Sequence, residues 1–366
     1  MRPESRDGQA PLRTGLTTGV CATAAAVAAA RCALGAPDGG VVTVVLPRHG
    51  PRDVAIRDHR RLDNGAEAGV IKDAGDDPDA THGARVWVRV VPRRAAGIGF
   101  HAGTGVGIVT RTGLSLEVGE PAINPVPRRM ITDHLLECAA ALGHGGGFAV
   151  TVGIDDGERI ARRTMNPRLG IEGGLSILGT TGIVRPFSCA AFIASVHQSV
   201  DVARANGLTH LACCTGGSSE ALVRSRYGLT DMGIVEMGDL FGGALKYLRR
   251  HPVPRVTLAG GFGKLSKFAA GHPDTHSRKC AIDLAGLAHE AADLGAGTAL
   301  CADVRGSNTS IEALERCRAA GVPLAERVCA RAFDRARQYL PTHVALDVCA
   351  VDRGGRLVGT AARGLA

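Results

Sequence analysis

The sequence predicts an α/β protein of two parts, an N-terminal α+β domain with a sandwich-like core over residues 1–146 and a doubly wound α/β domain over residues 147–366. Three observations predict it. A chain of 366 residues exceeds one ordinary domain. Before residue 147 a few β-rich runs and two helical patterns occur in no regular order. From Phe148 onward short apolar strands alternate with helices, the rhythm of a parallel sheet.

In chain order, Met1–Ala10 is polar and expected to be frayed. Thr17-Thr18-Gly19 leads into an Ala-rich helix from about Val20 to Leu34, ended by Gly35 and Pro37. Strands are expected at Val41–Leu46, Asp53–Arg57 and Ala84–Val91, and a Gly-rich extended segment at His101–Thr110. A helix follows over Pro127–Leu142, with Gly143 past its end. In the second part, strands are expected at Phe148–Ile154, Thr209–Cys214, Gly233–Met237 and Arg255–Ala259. Helices are expected at Ser188–Asn206, after Thr215, at Phe241–Arg249, up to Ala270, at Ala281–Leu294 and at Ser310–Ala319. The tail, residues 343–361, reads as a hairpin that packs on either domain.

Composition narrows the function. Hydrophobic residues make up 45% and aromatics only 3%, so Ala, Val, Leu and Ile build the interior and base-stacking platforms are disfavoured. The net charge of +8 is dispersed, without a basic block. It suits a polyanionic small molecule and gives no sign of a nucleic-acid arm. The eleven cysteines are odd in number and contain no C-x-x-C pair. They read as reduced thiols of a cytoplasmic protein, with no protein-bound metal. No apolar run approaches the roughly 18 residues of a membrane span.

Several constellations carry possible chemistry. Lys72–Asp79 holds five ionisable side chains: Lys72, Asp73, Asp76, Asp77 and Asp79. Its carboxylates either serve a site, with Asp73 and Asp76 as catalytic candidates, or pair with Arg and cap turns. Gly-rich turns fall after strands or before helices at Thr215-Gly216-Gly217-Ser218, Gly260-Gly261-Phe262-Gly263-Lys264 and Gly179-Thr180-Thr181-Gly182. Such turns lie where ligands of doubly wound sheets sit, and free N–H groups there favour anions. None is a phosphate-binding P-loop. Thr215, Gly216, Gly217, Gly261, Gly263 and Lys264 are the cofactor-binding candidates. Substrate candidates are Thr17, Thr18, Thr180 and Thr181, with Asn166, Arg168 and Arg185 in a long Gly-rich loop, and Arg128 behind the proline-stiffened Gly119–Pro127. Arg128, Arg168 and Arg185 are expected to hold carboxylates in one cleft. His276, in Asp274-Thr275-His276-Ser277, is the acid–base candidate.

Together these strings resemble the cobalt-precorrin-5B C(1)-methyltransferases of the oxygen-independent cobalamin pathway. The resemblance runs through Arg13-Thr-Gly-Leu-Thr-Thr-Gly19, Lys72–Asp79, Gly105–Ile108, Gly119–Arg128, Asn166–Ile171 and Ile177–Pro186. It continues from Gly263-Lys264 through Ala269-Ala-Gly271 to Thr275-His-Ser277. Departures occur at Leu16, Val20, Asp274 and Ser307–Ser310, and at Gly261-Phe262, where His-Ile is frequent. The resemblance implies an α+β part and a Rossmann-like part. It also implies methyl transfer from S-adenosyl-L-methionine to C1 of an anionic, ring-contracted tetrapyrrole. An NAD(P)-dependent oxidoreductase and a non-catalytic corrinoid carrier are the rival expectations.

Overall fold

The computed structural model describes residues 11–37 and 39–363, so the stretch expected to fray, Met1–Ala10, lies outside the described residues. The chain divides into two compact units, Met1–Cys189 and Ala190–Ala366. The boundary expected at 146/147 is therefore corrected. Strand Gly147–Ile154 pairs antiparallel with Arg85–Arg93 and parallel with Ile98–Ala102. It is an interior strand of the first unit, and a continuous apolar run carries no mark of which sheet it joins.

The main sheet of the first unit has the order Asp58–Leu62, Gly65–Ile71, Arg85–Arg93, Gly147–Ile154, Ile98–Ala102. The helix Thr18–Ala33 packs on Gly65–Ile71 and Arg85–Arg93, and beside the helix Pro125–Ala141. Every residue from Thr18 to Ala30 is buried. Alanine makes this possible, since its small side chain lets the helix lie close to its neighbours without rotamer loss. Thr17 caps the start, its Oγ1 accepting from Val20 N–H at 3.4 Å.

Along Arg85–Arg93 the period of two is plain. Val86, Val88 and Val90 belong to the core beneath the helix. On the other face Arg85 and Arg89, with Arg60, converge on the nearly buried Glu67 at 3.3–3.4 Å. In this unit the helix Thr18–Ala33 forms a layer on one main sheet. Its other strands form two-stranded pairs, such as Val41–Leu46 with Gly50–Ala55.

The second unit holds a five-stranded sheet in the order Ile234–Glu236, His210–Cys214, Arg255–Gly261, Ala345–Val351, Leu357–Arg363. The first four strands are parallel and the last is antiparallel. The tail hairpin thus completes this sheet. Alternate residues serve opposite faces. Leu211 and Cys213 join a large core with Phe241, Leu245, Phe262 and Val328, whereas Ala212 and Cys214 meet Val223 of helix Gly217–Tyr227. Helices therefore cover both faces, as a doubly wound sheet requires. Numbered within the unit, the strand order is 2-1-3-4-5. The direction of winding reverses between His210–Cys214 and Arg255–Gly261.

Candidate functional site

Two of the Gly-rich turns meet at that reversal. Strands His210–Cys214 and Arg255–Gly261 run parallel, with Cys214 opposite Ala259, so Thr215–Ser218 and Gly260–Lys264 emerge side by side at their carboxyl ends. Thr215 ties them: its N–H donates to Ala259 O at 3.0 Å, and its Oγ1 accepts from Gly261 N–H at 3.3 Å. Lys264 donates from Nζ to Thr215 O at 3.3 Å. Crevices at such reversals are where open α/β sheets bind ligands.

The glycines here differ in what they are for. A Cβ on Gly260 would lie 2.7 Å from Thr215 Cγ2, and one on Gly263 would lie 2.7 Å from Ser310 Oγ, so both are packing glycines. A Cβ on Gly217 or on Gly261 would meet nothing within 4 Å, and neither residue has a positive φ. Protein packing explains neither absence of a side chain. Gly217 is exposed at the first position of helix Gly217–Tyr227, with free backbone donors beside it.

A residue missed in the sequence completes the cluster. Asp239 follows the edge strand, Ile234–Glu236. Its Oδ1 pairs with Lys264 Nζ at 3.3 Å and accepts from Thr275 Oγ1 at 2.9 Å. Its Oδ2 accepts no hydrogen bond from the described residues. The signal was available, because Met237-Gly238-Asp239 is a third strand end with an acidic residue at the same edge. His276 is next to Thr275 and exposed, and its Nδ1 accepts from Arg278 N–H at 3.2 Å. Cys213 and Cys214 end the first strand without reactive character, since burial pushes the Cys213 thiol up to about 12.

The first unit brings together a different set. At the start of helix Thr18–Ala33, Thr17 N–H donates to Gly182 O at 3.1 Å, and Gly19 N–H to Leu178 O at 2.8 Å. Thr18 Oγ1 accepts from Leu178 N–H at 2.9 Å. Thr17, Thr18, Thr180 and Thr181 therefore share one corner, with Thr180 exposed. Gly179 lets the loop close, because a Cβ there would lie 2.2 Å from Thr17 Oγ1.

Of the expected arginine set, Arg128 is engaged within its own loop. Arg128 is turned onto its own loop, donating to Ile123 O at 2.7 Å, Pro121 O at 3.0 Å and Glu120 Oε1 at 3.0 Å. Asn166 is buried and accepts from Ser176 Oγ at 3.2 Å. Arg168 is half-buried, and Arg185 is exposed.

The acidic loop has a partner for every carboxylate. Asp73 takes the Arg13 guanidinium through two bonds, and Asp76 Oδ2 accepts Arg13 N–H at 2.6 Å. Asp77 Oδ1 accepts Phe187 N–H at 2.9 Å, holding that residue at φ 54°. Asp79 pairs at 2.6 Å with Lys72, whose side chain is 1% exposed, and caps Thr81. These bonds engage Asp73 and Asp76 with Arg13 without a ligand.

The hydrogen bonds from Arg13, helped by Gly75 N–H, hold Asp73 down at about 2. A carboxylate depressed below its unfolded value of about 3.9 stabilises above that pH, and the contribution is lost as pH falls from about 4 to about 2. Thermal melts of Asp73→Asn between pH 5 and pH 2 are expected to show a weaker pH dependence than the parent. Parallel curves would refute this.

The CbiD family model matches residues 5–186, and the model described as CbiD, C-terminal domain, matches residues 274–362. A protein of Burkholderia vietnamiensis named cobalt-precorrin-5B C(1)-methyltransferase is 58% identical, over 99% of this chain and 100% of its own length. A protein of Burkholderia multivorans with the same name is 57% identical over the same shares. The crystal structure of a cobalamin biosynthesis protein (cbiD) from Archaeoglobus fulgidus is 27% identical, covering 72% of this chain and 81% of that one, with a TM-score of 0.40. The chain belongs to the CbiD family.

Proposed function

We propose that the chain is a cobalt-precorrin-5B C(1)-methyltransferase of cobalamin biosynthesis, with a Rossmann-like second unit that holds S-adenosylmethionine. The names of the full-length relatives support the activity. One observation carries the placement of the donor: exposed Gly217 leaves open space at the strand reversal, where Asp239 Oδ2 accepts no hydrogen bond from the described residues. The residues fit the donor. The backbone N–H of Gly217, at the helix start, suits its carboxylate, and Asp239 suits its ribose hydroxyls or ammonium group.

When bound, the donor supplies a sulfonium methyl group. The acceptor carbon forms the new C–C bond as the C–S bond breaks, and that electron pair stays on sulfur as a thioether. No metal is needed for that step, and the protein's task is alignment. Lys264, pinned by Thr215 and Asp239, fixes the shape of the crevice rather than carrying a proton. For the macrocycle, exposed Thr180 and exposed Arg185 offer donors to its carboxylates, at the corner that Thr17, Thr18 and Thr181 hold together. Reduced cysteines support a cytoplasmic setting: all eleven are free. No helix among the described residues is long and apolar enough to cross a membrane.

The test is single-turnover transfer from methyl-labelled S-adenosylmethionine to cobalt-precorrin-5B. Label in the tetrapyrrole is expected. Tetrapyrrole binding without transfer would favour a carrier, and binding of NAD(P)H in place of the donor would favour an oxidoreductase.

A further inference from the structure

Lys267 is a buried lysine that the site description leaves without a role. It lies in the last turn of helix Phe262–Ala269, is 9% exposed, and has no carboxylate partner among the described residues. Its Nζ donates to Thr275 O at 3.1 Å. A buried ammonium is a poor stabiliser, and an apolar side chain of similar length would fill the space as well. Its single hydrogen bond, to the Thr275 carbonyl, points to orientation.

The group it holds is held from the other side as well. Thr275 is 1% exposed. Its N–H donates to Asp239 O at 2.9 Å, and its Oγ1 to Asp239 Oδ1 at 2.9 Å. Two further backbone bonds fix the same segment: His272 N–H to Lys267 O at 3.1 Å, and Gly242 N–H to Pro273 O at 2.8 Å. The segment His272–Cys280 is irregular, yet it is anchored to one strand end and to the helix leaving the next.

We propose that Lys267 and Asp239 are positioning residues that clamp Thr275 between them and hold the segment carrying His276 as a wall of the donor pocket. This rests on the donor lying at the strand reversal. The clamp also orients Asp239, since the Thr275 hydroxyl occupies Oδ1 and leaves Oδ2 for the ligand. Losing either anchor loosens the wall and weakens the hold on the Asp239 carboxylate, whose Oδ1 keeps its Lys264 partner, and misplacement of about 1 Å is enough to cost an enzyme up to roughly 100-fold.

The experiment is calorimetric titration of the full chain with S-adenosylhomocysteine, alongside titration with the tetrapyrrole. Lys267→Met and Thr275→Val are expected to weaken S-adenosylhomocysteine roughly tenfold or more, with tetrapyrrole affinity unchanged. Thr275→Ser, which keeps the hydroxyl, is expected to bind like the parent. Lys267→Gln, which keeps a donor for the Thr275 carbonyl, guards against a Met variant that fails to fold, and is expected to retain most of the affinity. Parent-like binding by Lys267→Met, or equal loss of both ligands in step with the melting temperature, would overturn the clamp. Gly217→Val separates the two ideas. If it loses S-adenosylhomocysteine while Lys267→Met does not, the clamp alone fails. If Gly217→Val binds like the parent, the donor site itself is misplaced and the clamp falls with it.

Discussion

Gly217→Val is expected to weaken S-adenosylhomocysteine by roughly 10- to 100-fold, the equivalent of forcing extra methyl groups into a fitted contact. Its melting temperature is expected to stay close to the parent's. A Cβ there touches nothing in the protein, and the residue opens a helix where any φ near the helical range suffices. The contrast is Gly260→Val, where the added atoms collide with Thr215; that variant should lose stability first. Unchanged ligand affinity in Gly217→Val would remove the strand reversal as the donor site.

Asp79→Ala is expected to be the most destabilising single change in the acidic loop, by about 3 kcal/mol, because it strands a buried ammonium. Burial pushes Asp79 upward, but the adjoining Lys72 charge and the hydrogen bonds from Lys72 and Thr81 win, so it stays ionised and its pKa is lowered. Lys72→Met should cost far less, since it removes the buried charge and leaves Asp79 capping Thr81. Urea unfolding of both variants checks this asymmetry. Equal costs would mean that Lys72 is not held by Asp79 alone.

The second unit was legible in the sequence because each of its signals is local. Strands His210–Cys214 and Arg255–Gly261 are short apolar runs bounded by glycine, and helices Phe241–Arg250 and Ser310–Ala319 show their apolar faces by spacing. Helix Leu324–Arg337 went unread although its buried positions recur at helical spacing, for its four arginines dominate the string. In the first unit, Gly65–Ile71 is a buried strand built of Gly, Ala and Glu, with little β-branching to announce it. Its neighbour Asp58–Leu62 is polar throughout except at its end.

Of the candidate site, the two turns were placed by the strand rhythm. Asp239 was not, because its importance depends on which strands become neighbours. Arg128 shows the converse limit. The residue type suits a carboxylate ligand, but its bonds to Ile123, Pro121 and Glu120 use it to close its own loop. Asp73 and Asp76 show the same, since nothing local reveals that Arg13, sixty residues earlier, meets Asp73.

The Ala-rich helix has a consequence for hydrogen exchange. Every amide from Val20 to Ala30 lies in a stretch with no exposed face, so partial fraying cannot reach it and solvent gains access only when the first unit opens as a whole. These amides should exchange last and together, and their common rate is a direct gauge of that unit's global unfolding free energy. In Asp79→Ala the whole set should accelerate by one shared factor, which a local disturbance of the acidic loop would not produce.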